Sequence, residues 1–238
     1  MAPGSLESEF GVPFPGEVLP GNRWTRTGLK DDGQPFDWMR VFGREAPRVL
    51  DLGCGNGRYL IGSALARPDL DHLGVDLVQR AVDFGAHRAN KRGLTNLRFV
   101  VGDAAAWLFE RLRSGSVDEI HLYHPQPYYE AEDAGKRLLT PAFLARCWEV
   151  LRPGGMLVLQ TDNKGYWRYL REAVAFHFEP RLHPAPWPDA PQGRTRREIV
   201  ARQKGLAVWR MEAGRRETPR PGPLPEPGFD ANRPRFRR

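Results

Sequence analysis

A glycine-rich turn between a strand and a helix is the part of this sequence best suited to bind a small ligand. The apolar run Arg48–Leu52 predicts a buried strand, and Arg58–Ala66 has the composition of a helix. Gly53, Gly55 and Gly57 lie between the two at alternate positions. Because glycine has no Cβ, the backbone N–H groups of such a turn can come close to a ligand.

The spacing of these glycines and the acid before them indicate the kind of ligand. The dinucleotide fingerprint G-x-G-x-x-G would need a third glycine where Arg58 or Leu60 stands, so the pattern here is G-x-G-x-G. Asp51 opens the turn and fits a ligand with a positive charge or many hydrogen-bond donors. S-adenosylmethionine is such a ligand. A tight turn with no ligand is the structural alternative.

Acidic residues also follow two further predicted strands. Asp76 ends one strand, and Asp103 follows another, directly before Ala104. Open α/β sheets bind ligands outside the carboxyl ends of their strands, where Asp51, Asp76 and Asp103 would meet. A carboxylate at Asp76 can accept ribose hydroxyls, and one at Asp103 can face an adenine amino group. The three acids predict a nucleoside site, and the glycine spacing favours S-adenosylmethionine over NAD within it.

The elements that must position these residues alternate between strands and helices. This βαβαβ order predicts an α/β fold with a mostly parallel central sheet and helices on both faces. The later run 198–212 is predicted as one or two strands. The other predicted strands are 72–76, 97–101, 117–123 and 156–161, and the predicted helices after the glycine turn are 78–92, 104–112, 141–150 and 164–176.

Two further strand ends carry polar residues. In the loop 124–129, prolines on both sides of Gln126 force an extended path, which would hold a flat substrate well, although an ordinary surface turn is the alternative. Lys136 and Arg137 follow and can meet phosphate. Asp162 ends the next strand, where it can cap a helix, accept a base N–H donor, or do both.

Composition limits the class of protein. The chain has 238 residues with 40% hydrophobic content, which suits one domain with terminal extensions. No apolar run reaches membrane-spanning length, and the first residues lack the apolar core of a secretory signal. Only two cysteines are present and the histidines do not cluster, so we expect no metal and a cytoplasmic location.

The positive charge is concentrated at the C-terminal end. Residues 1–193 carry a net charge of −1, and residues 194–238 carry +8. A basic segment on a near-neutral body indicates a polyanionic partner, with a solubilising tail as the alternative. We expect residues 1–35 to form a partly disordered arm, 36–215 the ligand-binding domain, and 216–238 a basic, proline-rich, disordered tail.

These motifs resemble those of the bacterial tRNA (guanine-N7)-methyltransferases, a family of class I S-adenosylmethionine-dependent enzymes. The resemblance covers residues 48–210. Residues 51–57 are similar to the family's Glu-x-Gly-x-Gly-x-Gly, and 124–128 to its Phe-Pro-Asp-Pro-Trp. Thr195-x-x-Glu198 is similar to its Thr-x-Phe-Glu, which the general methyltransferase fold does not require.

The resemblance implies a Rossmann-like class I methyltransferase fold and methyl transfer from S-adenosylmethionine to N7 of a guanine in tRNA, by a monomer or homodimer. Guanine N7 carries a lone pair and no proton, so catalysis would rest on alignment rather than on a general base. The implied cofactor-binding residues are Asp51, Gly53, Gly55, Gly57, Asp76, Asp103 and Ala104. The implied catalytic residues are Gln126 and Asp162, and the implied substrate-binding residues are Gln126, Lys136, Arg137, Asp162, Thr195 and Glu198, with Arg194, Arg196 and Arg197 on backbone phosphates.

Departures from the family pattern fall in the substrate loop and not in the cofactor turn. Gln126 replaces Asp, Tyr128 replaces Trp, Glu130 replaces Lys, and Gly135 replaces a basic residue. Two alternatives therefore stay open. One is a methyltransferase of the same fold that acts on another RNA or on a small molecule, and the other is an RNA-binding relative without catalysis.

Overall fold

In the computed structural model, which describes residues 7–231, the chain divides into two units. Unit 1 contains residues 7–113 and 194–196, and unit 2 contains 114–193 and 197–231. The predicted boundaries after residues 35 and 215 do not coincide with this division. Residues 1–6 and 232–238 of the predicted arm and tail lie outside the described residues.

Parallel strands form the sheet of unit 1 in the order β3-β6-β5-β4. The strands of this unit are β1 (Ser8–Glu9), β2 (Val12–Pro13), β3 (Gly28–Leu29), β4 (Arg48–Leu52), β5 (Asp71–Asp76) and β6 (Leu97–Val101). The helices are α1 (Trp38–Phe42), α2 (Arg58–Ala66), α3 (Gln79–Lys91) and α4 (Ala104–Ala106), which continues as a wider turn over Trp107–Arg111. Leu50, Leu73 and Phe99 are fully buried on β4, β5 and β6, so each of these predicted apolar runs is a buried strand.

Unit 2 has a mixed sheet in which β7 pairs with β8 in parallel, and β10 pairs with both β8 and β9 in antiparallel fashion. Its strands are β7 (Val117–Tyr123), β8 (Leu151–Thr161), β9 (Phe178–Leu182) and β10 (Trp209–Arg215). Its helices are α5 (Pro141–Val150), α6 (Lys164–His177) and all but the first residue of α7 (Arg196–Gln203), with a short 3-10 helix at Ala131–Lys136. Two caps fix helix starts beside the predicted site: Thr140 accepts the N–H of Phe143, and Asn163 accepts that of Tyr166.

The strand prediction for 198–212 is wrong in its first half. That segment begins as α7, whose buried residues are Glu198, Ile199 and Ala201, and only β10 is a strand. Helix α7 carries charged residues at half of its positions, so its apolar periodicity is too weak to identify it. Strand β8 also begins earlier than predicted, at Leu151, and its register with β7 shifts between the pairs Val117–Leu151 and Glu119–Met156.

The described part of the N-terminal arm differs from the predicted disordered segment. Strands β1 and β2 form a hairpin, and Phe14 and Val18 are 1% and 2% exposed. The ring of Phe14 lies under the guanidinium groups of Arg58, Arg88 and Arg92. The sequence did not predict this packing, because the prolines and glycines of the segment interrupt any regular spacing of its few apolar residues.

The described part of the C-terminal tail also packs, although residues 216–231 form no helix or strand, as their prolines predict. Arg220 donates its backbone N–H to the carbonyl of Phe176 at 2.7 Å. Phe229 packs against the rings of Tyr166 and Tyr169, at centroid distances of 4.8 and 5.6 Å. A Cβ on Gly165 would collide with the backbone of Asp230, so the tail passes directly over the start of α6.

Two searches cover the described residues 7–231. No helix there combines the length and the apolar character that crossing a bilayer requires. No group of three or more His, Cys, Asp or Glu side chains there is placed to hold a metal ion.

Candidate active site

The glycine turn between β4 and α2 requires glycine at all three positions. Gly53, Gly55 and Gly57 have φ angles of +82°, +54° and +71°. These lie in the left-handed region, which a side chain disfavours. A Cβ on Gly57 would also stand 2.6 Å from Cε1 of Phe99, whereas one on Gly55 would meet nothing within 4 Å. The first two glycines therefore shape an open turn, and the third also allows close packing of α2.

Asp76 holds this turn through its carboxylate. Its Oδ2 accepts the N–H of Gly55 at 2.7 Å, and its Oδ1 accepts the N–H of Val78 at 2.9 Å. Each carboxylate oxygen retains a lone pair for a ligand hydroxyl. Leu77 lies between Asp76 and Val78 in the sequence. It is 69% exposed and offers an apolar surface to a flat base. Sequence reasoning missed this residue, because a single apolar residue in a loop carries no pattern.

Asp51 is the clearest sign that a ligand belongs at this turn. Its side chain is 1% exposed, and its Oδ1 has no hydrogen-bond partner among the described residues. Burial, and then the charge of Asp76, raise the pKa of the Asp51 carboxyl well above its usual value. A cationic group or hydrogen-bond donors would satisfy this buried acceptor. The residues present therefore fit a nucleoside that carries positive charge.

The remaining predicted cofactor residues lie at the end of β6. Asp103 is exposed and accepts the N–H of Ala106 at 2.9 Å, so it caps α4. Ala104 follows it and is half-buried. Both residues therefore lie just after the end of β6, where a contact with adenine would require them.

In unit 2, Asp162 is fixed by two partners. Its Oδ2 accepts from Arg197 Nη2 at 2.6 Å, and its Oδ1 accepts from His124 Nδ1 at 2.9 Å. Burial alone would raise the pKa of Asp162, but the hydrogen bonds from His124 and Arg197, together with the charge of Arg197, outweigh it and lower the pKa to about 2. Asp162 is therefore an ionised acceptor with a defined direction.

The amide of Gln160 determines the tautomer of His124. Its Oε1 accepts from Trp187 Nε1 at 2.6 Å, and its Nε2 donates to Glu198 Oε2 at 3.1 Å, which fixes the amide orientation. The same Nε2 lies 2.8 Å from His124 Nε2, so that ring nitrogen accepts. The imidazole is then neutral, and its Nδ1–H donates to Asp162. Sequence reasoning missed both His124 and Gln160, since their roles depend on pairing across two strand ends.

Glu198 does not occupy the base-contacting position that the sequence predicted. It is 0% exposed and forms a buried ion pair with Arg210, whose Nε lies 3.2 Å from Glu198 Oε1. Its other oxygen accepts from Gln160. Because a fully buried, paired carboxylate has no surface for a base, Glu198 supports Gln160 instead.

Arg137 likewise does not reach a phosphate. Its side chain is buried and donates to the backbone carbonyls of Pro127, Tyr128, Pro227 and Phe229. Its guanidinium carbon lies 3.8 Å from the centroid of the Phe229 ring. Arg137 therefore joins the loop 124–129 to the C-terminal tail.

The other predicted substrate residues remain accessible. Gln126 is exposed on its loop, and Thr195 is half-buried. The side chain of Lys136 is 65% exposed, and its Nζ lies 2.6 Å from Oδ1 of Asp133. The guanidinium carbon of Arg194 lies 5.3 Å from the centroid of the Tyr59 ring, and that of Arg196 lies 5.1 Å from the centroid of the Phe10 ring.

Comparison with known proteins identifies the relatives of this chain. A family model described as "Putative methyltransferase" matches residues 45–211. The tRNA (guanine-N(7)-)-methyltransferase of Alkalilimnicola ehrlichii is 32% identical over 82% of this chain and 85% of that protein. The protein of the same name from Xanthomonas campestris pv. campestris is 32% identical over 85% of this chain and 80% of that protein.

Solved structures are similar in fold. The 16S rRNA methyltransferase KamB superposes with a TM-score of 0.57 and 16% identity, over 80% of this chain and 99% of that chain. The 16S rRNA (adenine(1408)-N(1))-methyltransferase of Catenulisporales acidiphilia superposes with a TM-score of 0.51 and 20% identity, over 76% of this chain and 92% of that chain. The predicted α/β methyltransferase fold with a mostly parallel sheet is therefore confirmed. By its family model and its relatives, the chain belongs to the methyltransferase family that includes the tRNA (guanine-N(7)-)-methyltransferases.

Proposed function

We propose that this protein transfers the methyl group of S-adenosylmethionine to N7 of a guanine in tRNA. The reaction type rests on the buried, unpartnered Oδ1 of Asp51 beside an open glycine turn. The substrate rests on the names of relatives that match more than four fifths of the chain. The cytoplasmic location and the monomeric or homodimeric state stay predictions.

The residues of unit 1 would hold the cofactor, which supplies an electrophilic methyl group on a sulfonium. The Asp76 carboxylate accepts ribose hydroxyls, the glycine turn allows close approach, and Asp51 accepts from the charged end. Asp103 and Ala104 contact the base at the next strand end. Since no bond to hydrogen breaks at N7 before attack, none of these groups has to act as a general base.

The residues of unit 2 would hold the guanine. Guanine differs from adenine by its N1–H and N2–H₂ donors, which an ionised acceptor such as Asp162 can take. Arg197 and His124 keep Asp162 ionised and oriented. Gln126 on the stiff loop is proposed to complete the contacts of this unit with the base, with Lys136 on phosphate. Thr195, which belongs to unit 1, stays a predicted substrate contact.

The direct test is mass mapping of nucleosides from tRNA incubated with the protein and isotopically labelled S-adenosylmethionine. We expect labelled 7-methylguanosine and no other labelled nucleoside. A label on a different nucleoside, or no label with correctly folded protein, would overturn the proposal.

The exposed side chains of Gln126 and Glu130 favour a second candidate, methylation of a different substrate on the same fold. An acid at Glu130 repels a phosphate where the family pattern has a lysine. The same labelling experiment with ribosomal RNA and with a small-molecule panel distinguishes the two candidates, because only one substrate class should take up label.

A further inference from the structure

Helix α6 carries a row of cations on its exposed side. Lys164, Arg168 and Arg171 stand at positions i, i+4 and i+7, which lie on one face of a helix. All three are exposed, while the opposite face packs into unit 2 through residues such as Tyr166 and Leu170. We call these three residues the α6 basic face.

The α6 basic face is not neutralised within residues 7–231. None of its three cations has an ion pair there. Glu172 is the one acid in this helix, and it pairs with neither arginine. The absence of pairing leaves three charges available to a partner.

Cations on other helices behave differently. Arg88 and Lys91 on α3, and Arg92 directly after it, lie within 3.8 Å of carboxylate oxygens of Glu7. On α5, Arg146 pairs with Glu149 at 2.8 Å. These cations are therefore neutralised within the described residues, whereas those of the α6 basic face are not.

The position of α6 connects this face to the candidate substrate site. The helix begins two residues after Asp162, and Asn163 caps its first turn. At 1.5 Å per residue, Lys164 and Arg171 are about 10 Å apart along the axis. The face is therefore long enough to contact more than one backbone phosphate of a nucleic-acid strand.

We propose that the α6 basic face binds the phosphodiester backbone of the substrate RNA and leads it towards Asp162. This inference rests on the proposed function. It assigns to Lys164, Arg168 and Arg171 contacts that position the RNA without reading its sequence. Arg168 and Arg171 are the better probes, because Lys164 neighbours the capping residue and the Asp230 backbone that crosses Gly165.

The test compares two double variants of the full chain. Arg168→Gln with Arg171→Gln removes two charges from the α6 basic face. Arg152→Gln with Arg181→Gln is the control, which also removes two charges, from arginines on β8 and β9 that are already ion-paired with Asp118 and Glu212. The dissociation constant for tRNA is measured by fluorescence anisotropy between about 50 and 200 mM salt.

The α6 double variant should bind tRNA about tenfold more weakly, and the slope of log K against log salt should decrease in magnitude by about two. The control should keep the wild-type slope. Arg168→Lys with Arg171→Lys should restore the slope, since a point charge suffices for phosphate. Methyl transfer at saturating tRNA should stay at the wild-type rate in the control.

An unchanged slope in the α6 double variant, or an equal decrease in the control, would overturn the inference. If the wild-type protein still methylates tRNA when the inference fails in this way, the proposed function stands. Wild-type protein that neither binds nor methylates tRNA overturns the proposed function first, so the two failures are distinguishable.

Discussion

At the residue scale, the direction of the hydrogen bond between His124 and Asp162 follows from one amide. Trp187 can only donate and Glu198 can only accept, so the Gln160 amide has a single orientation. That orientation makes His124 a donor to Asp162. The carboxylate is therefore ionised and aimed before any substrate arrives, which is the preorganisation that electrostatic catalysis needs.

Replacement of Asp162 by Asn should abolish most methyl transfer and leave cofactor binding unchanged. The amide cannot take two donors from guanine as a carboxylate does, so we expect a loss of about 100-fold or more in kcat/KM. Turnover is measured with labelled cofactor, and cofactor affinity by calorimetry. Asp118→Asn, at a partly exposed acid of the same unit, is the control; equal activity in both variants would contradict the assigned role.

The same substitution should make stability less dependent on pH. The pKa of Asp162 is about 2 when folded against an ordinary 3.8, so its contribution is present above pH 3.8 and is lost as the pH falls through about 2. This lowered pKa corresponds to about 2 kcal/mol of unfolding free energy. Urea unfolding should therefore separate wild type from Asp162→Asn at neutral pH and bring them together in acid. A difference that stays constant with pH would count against the ion pair.

At the element scale, the turn after β4 and the loop after β7 differ in how they are held. The turn takes its shape from left-handed glycines and from the Asp76 carboxylate. The loop contains His124 and Tyr128 at positive φ and is fixed by Arg137 from outside. The turn is therefore held by its own backbone conformation and by an acid at the next strand end, and the loop by an arginine in the segment that follows it.

Gly55→Ala should weaken S-adenosylmethionine binding with little loss of stability. Its Cβ meets nothing within 4 Å, so only the left-handed backbone is penalised, by about 1 kcal/mol. Gly43→Ala has the same kind of strain at the end of α1, with φ +71° and open space around it, and should leave binding unchanged. Calorimetry and thermal unfolding measure both effects. Equal affinities in the two variants would show that the turn does not contact the cofactor.

Arg137→Lys distinguishes loop support from phosphate binding. Lysine keeps the charge but cannot form the fork of hydrogen bonds to several carbonyls. We expect the variant to lose methyl transfer about tenfold or more, while its salt-dependent affinity for tRNA stays at the wild-type value. Wild-type turnover in this variant would indicate that charge alone matters at this position.

At the scale of the whole molecule, the ends of the chain were the hardest part to predict. Strand–helix alternation and the strand-end acids gave the fold class and the candidate cofactor residues. Burial of polar residues was not visible, because Glu198 and Arg137 look like surface residues until their partners Arg210 and Phe229 are known. Pairing between distant segments, such as Glu7 with Arg92, leaves no local pattern.

Phe14→Ala tests whether the N-terminal segment is part of the folded molecule. The ring is 1% exposed beneath three guanidinium groups, and burial of this kind predicts a loss of about 3 kcal/mol or more. Thermal unfolding measures the loss. Phe10→Ala, at a ring that is 44% exposed on the hairpin, is the control and should change stability much less. Equal melting temperatures for wild type and Phe14→Ala would show that residues 7–18 add nothing to stability.

Because Asp76 accepts two backbone hydrogen bonds, binding of a ligand at the glycine turn can be observed without an assay of turnover. One carboxylate receives the amides of both Gly55 and Val78, so a ligand that competes for its lone pairs perturbs both at once. Their nuclear resonances should move together during a titration with the nucleoside, and their deuterium uptake should change in parallel. Two amides that lie 23 positions apart in the chain thus report a single binding event.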